Sequence, residues 1–327
     1  MTMHWREALE AQFDGLNVCR MLLDNHRHFP ARYKYAGNMK LQDSWRVDYN
    51  VLSRAHPYAW SREPVAACLQ ACRSIPDDTV FCPENLNLGV GKAQFWYLEG
   101  GLPVHPVHGD HRVNVNAISM MHIVDKIGDD IILVSLYTND PNIVPGRQHR
   151  VIPSQIFNWK VGETLESLKM WLHHAHDDAY GPNGPFKDEY PSIEKREQVR
   201  NHFIQVSDLL AKFIIAGGVW MKQEVLQQER GPVERQQRKR FERETSRPLD
   251  AVTVVHLRKV QHAEHEPIEG EHAKREYHCR WTVDGHWRNQ AFGPKHGDRR
   301  LQFIMPYVKG PADKPLRTGV KMVAVDR

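Results

Sequence analysis

Two stretches of this chain carry side chains of the types that suit charged polymers. The first is a run of cations, Arg235, Arg238, Lys239, Arg240, Arg243 and Arg247, set against Glu242 and Glu244. Guanidinium and ammonium groups at that density suit phosphates, and the same run suits a mobile charged connector. The second is Gly285-His-Trp-Arg-Asn-Gln-Ala-Phe-Gly293, followed by Arg299-Arg300, Pro306-Tyr-Val308 and Gly310-Pro311. This spacing places His286, Trp287 and Arg288 at the end of one strand and Arg299 and Arg300 at the start of the next. Aromatic faces beside guanidinium groups suit RNA bases and phosphates. They suit a peptide groove or a tight β-turn equally well.

Other clusters point less clearly to chemistry. His173, His176 and Asp177 share one face of a helix, but no HExxH pattern accompanies them, and His at a helix end also favours the macrodipole. His262, His265, His272 and His278 fit no zinc template. Cys68 and Cys72 lie four apart on a helix, with Cys82 beyond. Five cysteines in 327 residues form no disulfide scaffold, and buried free thiols or a metal contact are the alternatives. Leu88-Gly-Val-Gly-Lys92 lacks the Ser/Thr that follows the Lys of a phosphate-binding loop, because Ala93 stands there. No GxSxG occurs. The expectation is a protein with no catalytic residues, no metal and no cofactor.

Charge is unevenly placed. Residues 1–220 hold 22 Lys and Arg against 25 Asp and Glu, and residues 221–327 hold 22 against 15. A near-neutral body with a basic last third suggests contact with an anionic surface, RNA first among them. The apolar stretches Ile131–Tyr137 and Phe213–Met221 fall short of the ~20 residues of a membrane span. The N-terminus shows no basic-then-apolar leader, so a cytoplasmic protein is expected.

The elements that must position these residues follow from periodicity. Ala8, Leu9, Phe13, Leu16, Cys19, Leu22 and Leu23 predict a helix over 5–23. Residues 29–58 show no clean period and read as partly irregular. A helix near 64–74, with Ser61 as candidate cap, ends at Ile75-Pro-Asp-Asp-Thr. Strands are predicted at 80–88, 94–98, 113–121 and 131–138, the last two joined by a hairpin at Lys126-Ile-Gly-Asp-Asp. Helices follow over 163–179 and over 193 to about 229. Gly217-Gly218 in the latter costs about 1 kcal/mol each relative to Ala, which a closely packed helix neighbour or a kink would explain. Beyond Gly231-Pro232, strands are predicted at 251–257, 278–283, 301–308 and 320–325.

At the tail motif the sequence resembles the second described family of type V-A anti-CRISPR proteins, which suppress production of the Cas12-type effector nuclease and are carried by phages and mobile elements. Gly285, His286, Trp287, Gly293, Pro306 and Val308 fall at that family's spacing. Ala59-Trp60, leading a helix that ends in Ile75-Pro76-Asp77-Asp78-Thr79, resembles its Leu-Pro-Asp-Asp-Thr segment. The two motifs cover about a quarter of the chain, and the middle matches in the order of elements. The resemblance implies a protein that recognises the effector's N-terminal segment as it emerges from the ribosome, after which the effector's transcript is lost.

Such a nascent peptide is extended, with apolar residues alternating with Lys and Arg. It can add to a sheet edge or lie in a groove walled by carboxylates. Asp77, Asp78, Glu84, Trp96, Glu99, His286 and Trp287 are the candidate peptide contacts, although Asp77-Asp78 also reads as a plain helix-ending turn. Arg235, Arg238, Lys239, Arg240, Arg243, Arg288, Arg299 and Arg300 are the candidate contacts to ribosomal or messenger RNA. The expected fold is α+β: N-terminal helices, a mixed or antiparallel sheet with a long packed helix, and a C-terminal β-rich segment. The expected division is a body over 1–230, a basic helical or linker segment over 231–250, and a β-rich region over 251–327 that completes the sheet or forms a small subdomain. An RNA-binding or RNA-cleaving mobile-element protein is the alternative, marked by convergent His, Lys or carboxylate groups in a cleft. A third is an antitoxin-like or structural protein, marked by a large apolar self-interface.

Overall fold

A computed structural model of the chain describes residues 4–25, 35–36, 39–104, 113–124, 128–138, 152–180, 192–223, 225–258, 279–311 and 314–315. The chain divides into two compact units, 1–258 and 259–327. The boundary lies at Arg258, past both the 230 and the 250 divisions expected from composition. The histidines at 262, 265, 272 and 278 and the strand expected at 320–325 lie outside the described residues.

The first unit is α+β. In chain order it holds α1 (His4–Asn25), β1 (Tyr35–Ala36), β2 (Met39–Lys40), α2 (Leu41–Arg54), β3 (Ala55–Trp60) and α3 (Arg62–Cys72). Then come β4 (Ala93–Val104), β5 (Val113–Val124), β6 (Asp130–Thr138) and β7 (Ile152–Lys160). It closes with α4 (Leu165–Tyr180), α5 (Ile193–Lys222), β8 (Leu226–Gly231), α6 (Arg235–Thr245) and β9 (Val252–Leu257). Seven strands form one mixed sheet in the order β7-β6-β5-β4-β3-β9-β8. β3 runs parallel to both of its neighbours, β4 and β9, and the other pairs are antiparallel.

Successive strand residues point to opposite faces, so Phe95 and Trp96 belong to different cores. On one face, Ala11, Leu16 and Cys19 of α1 and Val51 and Leu52 of α2 pack on Ala93, Phe95, Ala117, Met121 and Tyr137. On that side too, Ala8, Leu9 and Phe13 meet Ala59, Val252 and Phe241 of α6. On the other face, Trp60 and Trp96 pack at a tilt with ring centres 4.9 Å apart, and α5 lies on them. The Cβ of an alanine at Gly217 would stand 2.8 Å from the Trp96 ring, and one at Gly218 would stand 2.2 Å from the Asn85 carbonyl oxygen. The glycine pair therefore serves a close approach to sheet tryptophans and a loop, and not to a helix neighbour. α5 is long and apolar enough to cross a membrane by length and composition, and 72% of that stretch is buried inside the unit, as in a core helix.

Several elements depart from the periodicity. The strand expected at 80–88 is a run of turns, because Pro83 has no N–H to offer a ladder and the amides of Asn85, Leu86, Asn87 and Leu88 bond carbonyls within 82–84. Asn87 lies at φ 55. The irregular stretch at 29–58 holds α2 and most of β3. α5 stops at Lys222, and β8 takes the residues expected to prolong it. β4 continues beyond residue 98 through Gly100 and Gly101, both at positive φ, where its register with β5 shifts.

The second unit is built of short antiparallel pairs. β10 (Trp281–Val283) pairs with β13 (Tyr307–Lys309), and β11 (His286–Phe292) pairs with β12 (Asp298–Ile304) through a 3-10 turn at Pro294–His296. The single strand expected over 301–308 is broken at Pro306 into β12 and β13.

Candidate functional site

The acidic candidates Asp77 and Glu99 stand at opposite ends of α3. Ile75-Pro-Asp-Asp-Thr leaves α3 and caps the next helix in space, with the Asp77 and Thr79 carbonyls accepting from Glu166 N and Leu165 N at 3.0 and 3.1 Å. The Asp77 carboxylate accepts from Lys212 Nζ at 2.7 Å and from Lys169 Nζ at 2.8 Å. Asp208 lies 3.2 Å from each of the same two ammonium groups. Hydrogen bonds from Lys169 and then Lys212 hold the Asp77 carboxyl below its ordinary range. Its charge is thus balanced by Lys169 and Lys212 within the unit.

Trp96 requires a correction. It is 0% exposed and its Nε1 donates to Gln94 Oε1 at 2.8 Å, so it is core and cannot line a peptide surface. Glu99 accepts the Arg62 backbone N–H at 2.9 Å, placing a carboxylate on the first turn of α3, where the helix dipole favours one. Ser61 sits at the N-cap, yet its hydroxyl donates to Val255 O of β9 at 3.1 Å and lies 3.2 Å from His256 Nδ1. Glu99 and Asp77 stand at opposite ends of α3, an 11-residue helix about 16 Å long. Asp78 and Glu84 are exposed, and the Glu84 carbonyl accepts from Lys222 Nζ.

The basic run is a docked helix and not a connector. Phe241 of α6 is buried against Phe13, ring centres 6.1 Å apart. Arg240 stacks its guanidinium 4.0 Å from the centre of the Phe13 ring and pairs with Glu10 at 3.3 Å. Arg238 Nε donates to Val233 O at 3.1 Å, and Arg247 donates to Arg54 O at 2.8 Å. Glu244 pairs with Arg20 at 2.7 Å, and Glu234 with Arg6. Arg235, Lys239 and Arg243 remain as an exposed stripe at four-residue spacing. The structure thus splits the five candidates of this run into two that fasten α6 and three that face outward.

In the second unit, the tail motif residues build the fold. The Cβ of an alanine at Gly285 would meet the Phe303 ring at 2.6 Å and Pro306 at 3.1 Å. Trp287 is buried on Phe303, ring centres 5.1 Å apart. Gly293 lies at φ +75. Of the candidate contacts here, His286, Arg288, Arg299 and Arg300 are exposed, while Trp287 is a core residue. His286 Nδ1 lies 3.1 Å from the Asp284 carbonyl.

Among the described residues no group of three or more His, Cys, Asp or Glu could hold a metal ion. Asp177 pairs instead with Arg200 at 3.0 Å. Cys68 and Cys72 are buried, and burial pushes the Cys72 thiol up to about 12. Neither offers a ready thiolate.

One polar cluster carried no signal in the sequence. Asp48 of α2 is 1% exposed, and the Tyr137 hydroxyl donates to it at 3.3 Å and lies 2.9 Å from Ser119 Oγ. Burial pushes the Asp48 carboxyl up to about 7, against the Ser135 and Tyr137 hydroxyls, which pull it down. Burial and the charge of Asp48 raise the nearby Cys19 thiol. Gln12 spans the same core, donating to Leu52 O and Ala55 O at 2.8 and 3.0 Å. The signal that could have found the cluster is a serine in each of two alternating strands, Ser119 opposite Ser135, but Asp48 itself lay in the stretch read as irregular.

No protein-family model, curated protein or solved structure matches this chain.

Proposed function

We propose that this chain is an anti-CRISPR protein of a phage or mobile element. It suppresses synthesis of the type V-A Cas12-type effector in the bacterial cytoplasm by binding the effector's N-terminal peptide during translation, and the effector's transcript is then lost. The proposal rests on the resemblance over 285–308 and 75–79. The protein acts as a reader of peptide and not as a catalyst.

The observation that best supports peptide reading is the outer edge of β8. Among the described residues β8 has one strand neighbour, β9, and its four central residues Gln227, Gln228, Glu229 and Arg230 are all exposed. An exposed edge offers main-chain donors and acceptors to an extended peptide, and alternate side chains supply selectivity. Of the seven candidate peptide contacts, Trp96 and Trp287 are core residues and Asp77 is ion-paired with Lys169 and Lys212.

The test is a reporter carrying the effector's first few tens of codons ahead of a fluorescent protein, co-expressed with the chain. Reporter protein and transcript should both fall, and synonymous recoding should leave the effect intact. A frameshift that preserves most of the RNA but changes the peptide should remove it. Loss of repression on recoding at constant peptide sequence would overturn the reading. Proline at Gln227 or at Gln228 locates the site. Consecutive strand N–H groups point to opposite edges, so only one of the two substitutions faces outward. That variant should fold normally and fail to repress, and repression by both folded variants would remove β8 from the site.

A further inference from the structure

The β11–β12 ribbon has two unlike faces. Cross-strand pairing places Trp287 opposite Phe303, Asn289 opposite Leu301 and Ala291 opposite Arg299 on one side. Trp287, Leu301 and Phe303 are buried, so this side is the core side. The other side carries Arg288 opposite Gln302, Gln290 opposite Arg300, and Phe292 opposite Asp298. Phe292 is 40% exposed, and the Arg300 guanidinium lies over its ring, 5.5 Å from the centre.

We infer that this outward face binds single-stranded RNA, with Phe292 as the stacking platform and Arg288 and Arg300 as the phosphate contacts. The polarity of the face decides the partner. Residues 279–315 hold seven Lys and Arg against three Asp and no Glu. The carboxylate on the face is Asp298, which is directed at Gly293. An exposed aromatic ring on a basic strand takes an unpaired base, because every base has a stacking face and a duplex keeps its bases stacked inside. Each guanidinium has a glutamine as its cross-strand partner, Gln302 for Arg288 and Gln290 for Arg300. An amide both donates and accepts, as does the 2′-hydroxyl that separates RNA from DNA. From Arg288 to Phe292 the ribbon runs about 13 Å. The core-side cation, Arg299, is exposed as well but lies on the opposite face, which gives the inference an internal control.

The experiment is fluorescence anisotropy of the full chain with a labelled, unstructured twelve-nucleotide RNA over a series of KCl concentrations. Arg288→Gln and Arg300→Gln should each reduce the log–log salt slope by about 0.7, one phosphate contact apiece. Phe292→Ala should weaken binding roughly five- to a hundredfold at unchanged slope, while Phe292→Trp restores it. Arg299→Gln should change affinity less than about twofold, since it alters no group on the face. Equal effects of Arg299→Gln and Arg300→Gln would overturn the ribbon face in favour of diffuse attraction. Equal binding of the deoxy oligomer or of duplex RNA would overturn the assigned partner. Loss of binding in an Arg235, Lys239 and Arg243 to Gln variant, with the ribbon variants unaffected, would move the contact to α6 and sink the inference. Anisotropy that never rises at low salt would do the same.

Discussion

Burial on the inward side of α2 raises the Asp48 carboxyl above the range of an ordinary aspartate, so folding favours its protonated form at pH 5 to 6. A carboxyl raised from 3.8 to about 7 on folding binds a proton in the native state that the unfolded chain has released. The sign follows directly. Asp48 contributes its full stability below its unfolded pKa, and that contribution is lost as pH rises from about 4 through about 7, at up to about 1.4 kcal/mol per pH unit. The difference between parent and variant isolates Asp48 from every other group. Asp48→Asn should flatten the decline, and at pH 8 its urea midpoint should exceed that of the parent. Parallel pH profiles for the two proteins would show that Asp48 is ionised in the core. Gly218 gives a second residue-scale test with the opposite logic, since backbone atoms crowd it. Gly218→Ala gains intrinsic helix propensity of about 1 kcal/mol. Its new Cβ would also lie 2.2 Å from the Asn85 carbonyl oxygen. Overpacking against backbone of about 1–3 kcal/mol should win, giving a lower melting temperature in calorimetry.

Among the elements, α6 shows best how a charge run becomes structure. Five cations in its sequence suggested a surface, yet one aromatic, Phe241, fixes which side of the helix is inward. That places Arg240 over Phe13 and beside Glu10, and leaves Arg243 in solvent. Arg240→Gln should therefore lower stability by about 1 kcal/mol, from a partly desolvated cation–π contact and an ion pair, and Arg243→Gln should change it negligibly. Equal denaturant midpoints for the two variants would return α6 to a connector. The same contrast explains what the sequence could reveal. α1, α3, α4, the β5–β6 hairpin and β9 were legible because each shows one apolar face or one alternating run bounded by turn residues. α2 was hidden, since its inward Asp48 breaks the apolar stripe that would have marked it. β8 was hidden because an edge strand with Gln, Gln, Glu and Arg at its centre has no apolar face to alternate. Trp96 was misjudged because a tryptophan in an aromatic strand run looks the same in sequence whether it serves a partner or, as here, packs under Gly217. Arg288, Arg299 and Arg300 were legible as a group, but that Arg288 and Arg300 share a face and Arg299 does not needed the register of β11 and β12.

On the scale of the whole molecule, chain order and spatial order diverge most at β3. Its two sheet neighbours are β4, which follows closely, and β9, with Ala59 registered against Val254 across most of the first unit's length. A sheet completed by its last strand has high contact order and should fold slowly. It also makes the true end of the first unit a sharp question. Composition alone would end it at 230, where the helical residues give way to charge, or at 250, after the basic run. The sheet says otherwise. A chain ending at 250 keeps β8 but removes β9 from between β3 and β8, stripping Val252, Val254 and Val255, all buried, from the core. At about 1.5–3 kcal/mol each these three side chains represent roughly 5–9 kcal/mol, comparable with the entire stability of a typical domain. A chain ending at 258 keeps every strand of the sheet. The expected outcome is that 1–258 is soluble, with the blue-shifted tryptophan emission of buried Trp60 and Trp96 and one cooperative thermal transition. The 1–250 chain should show red-shifted emission, no cooperative transition and aggregation through its unpaired edges. Cooperative melting of 1–250 at the same temperature as 1–258 would show that β9 is peripheral, and that the sheet closes at β3.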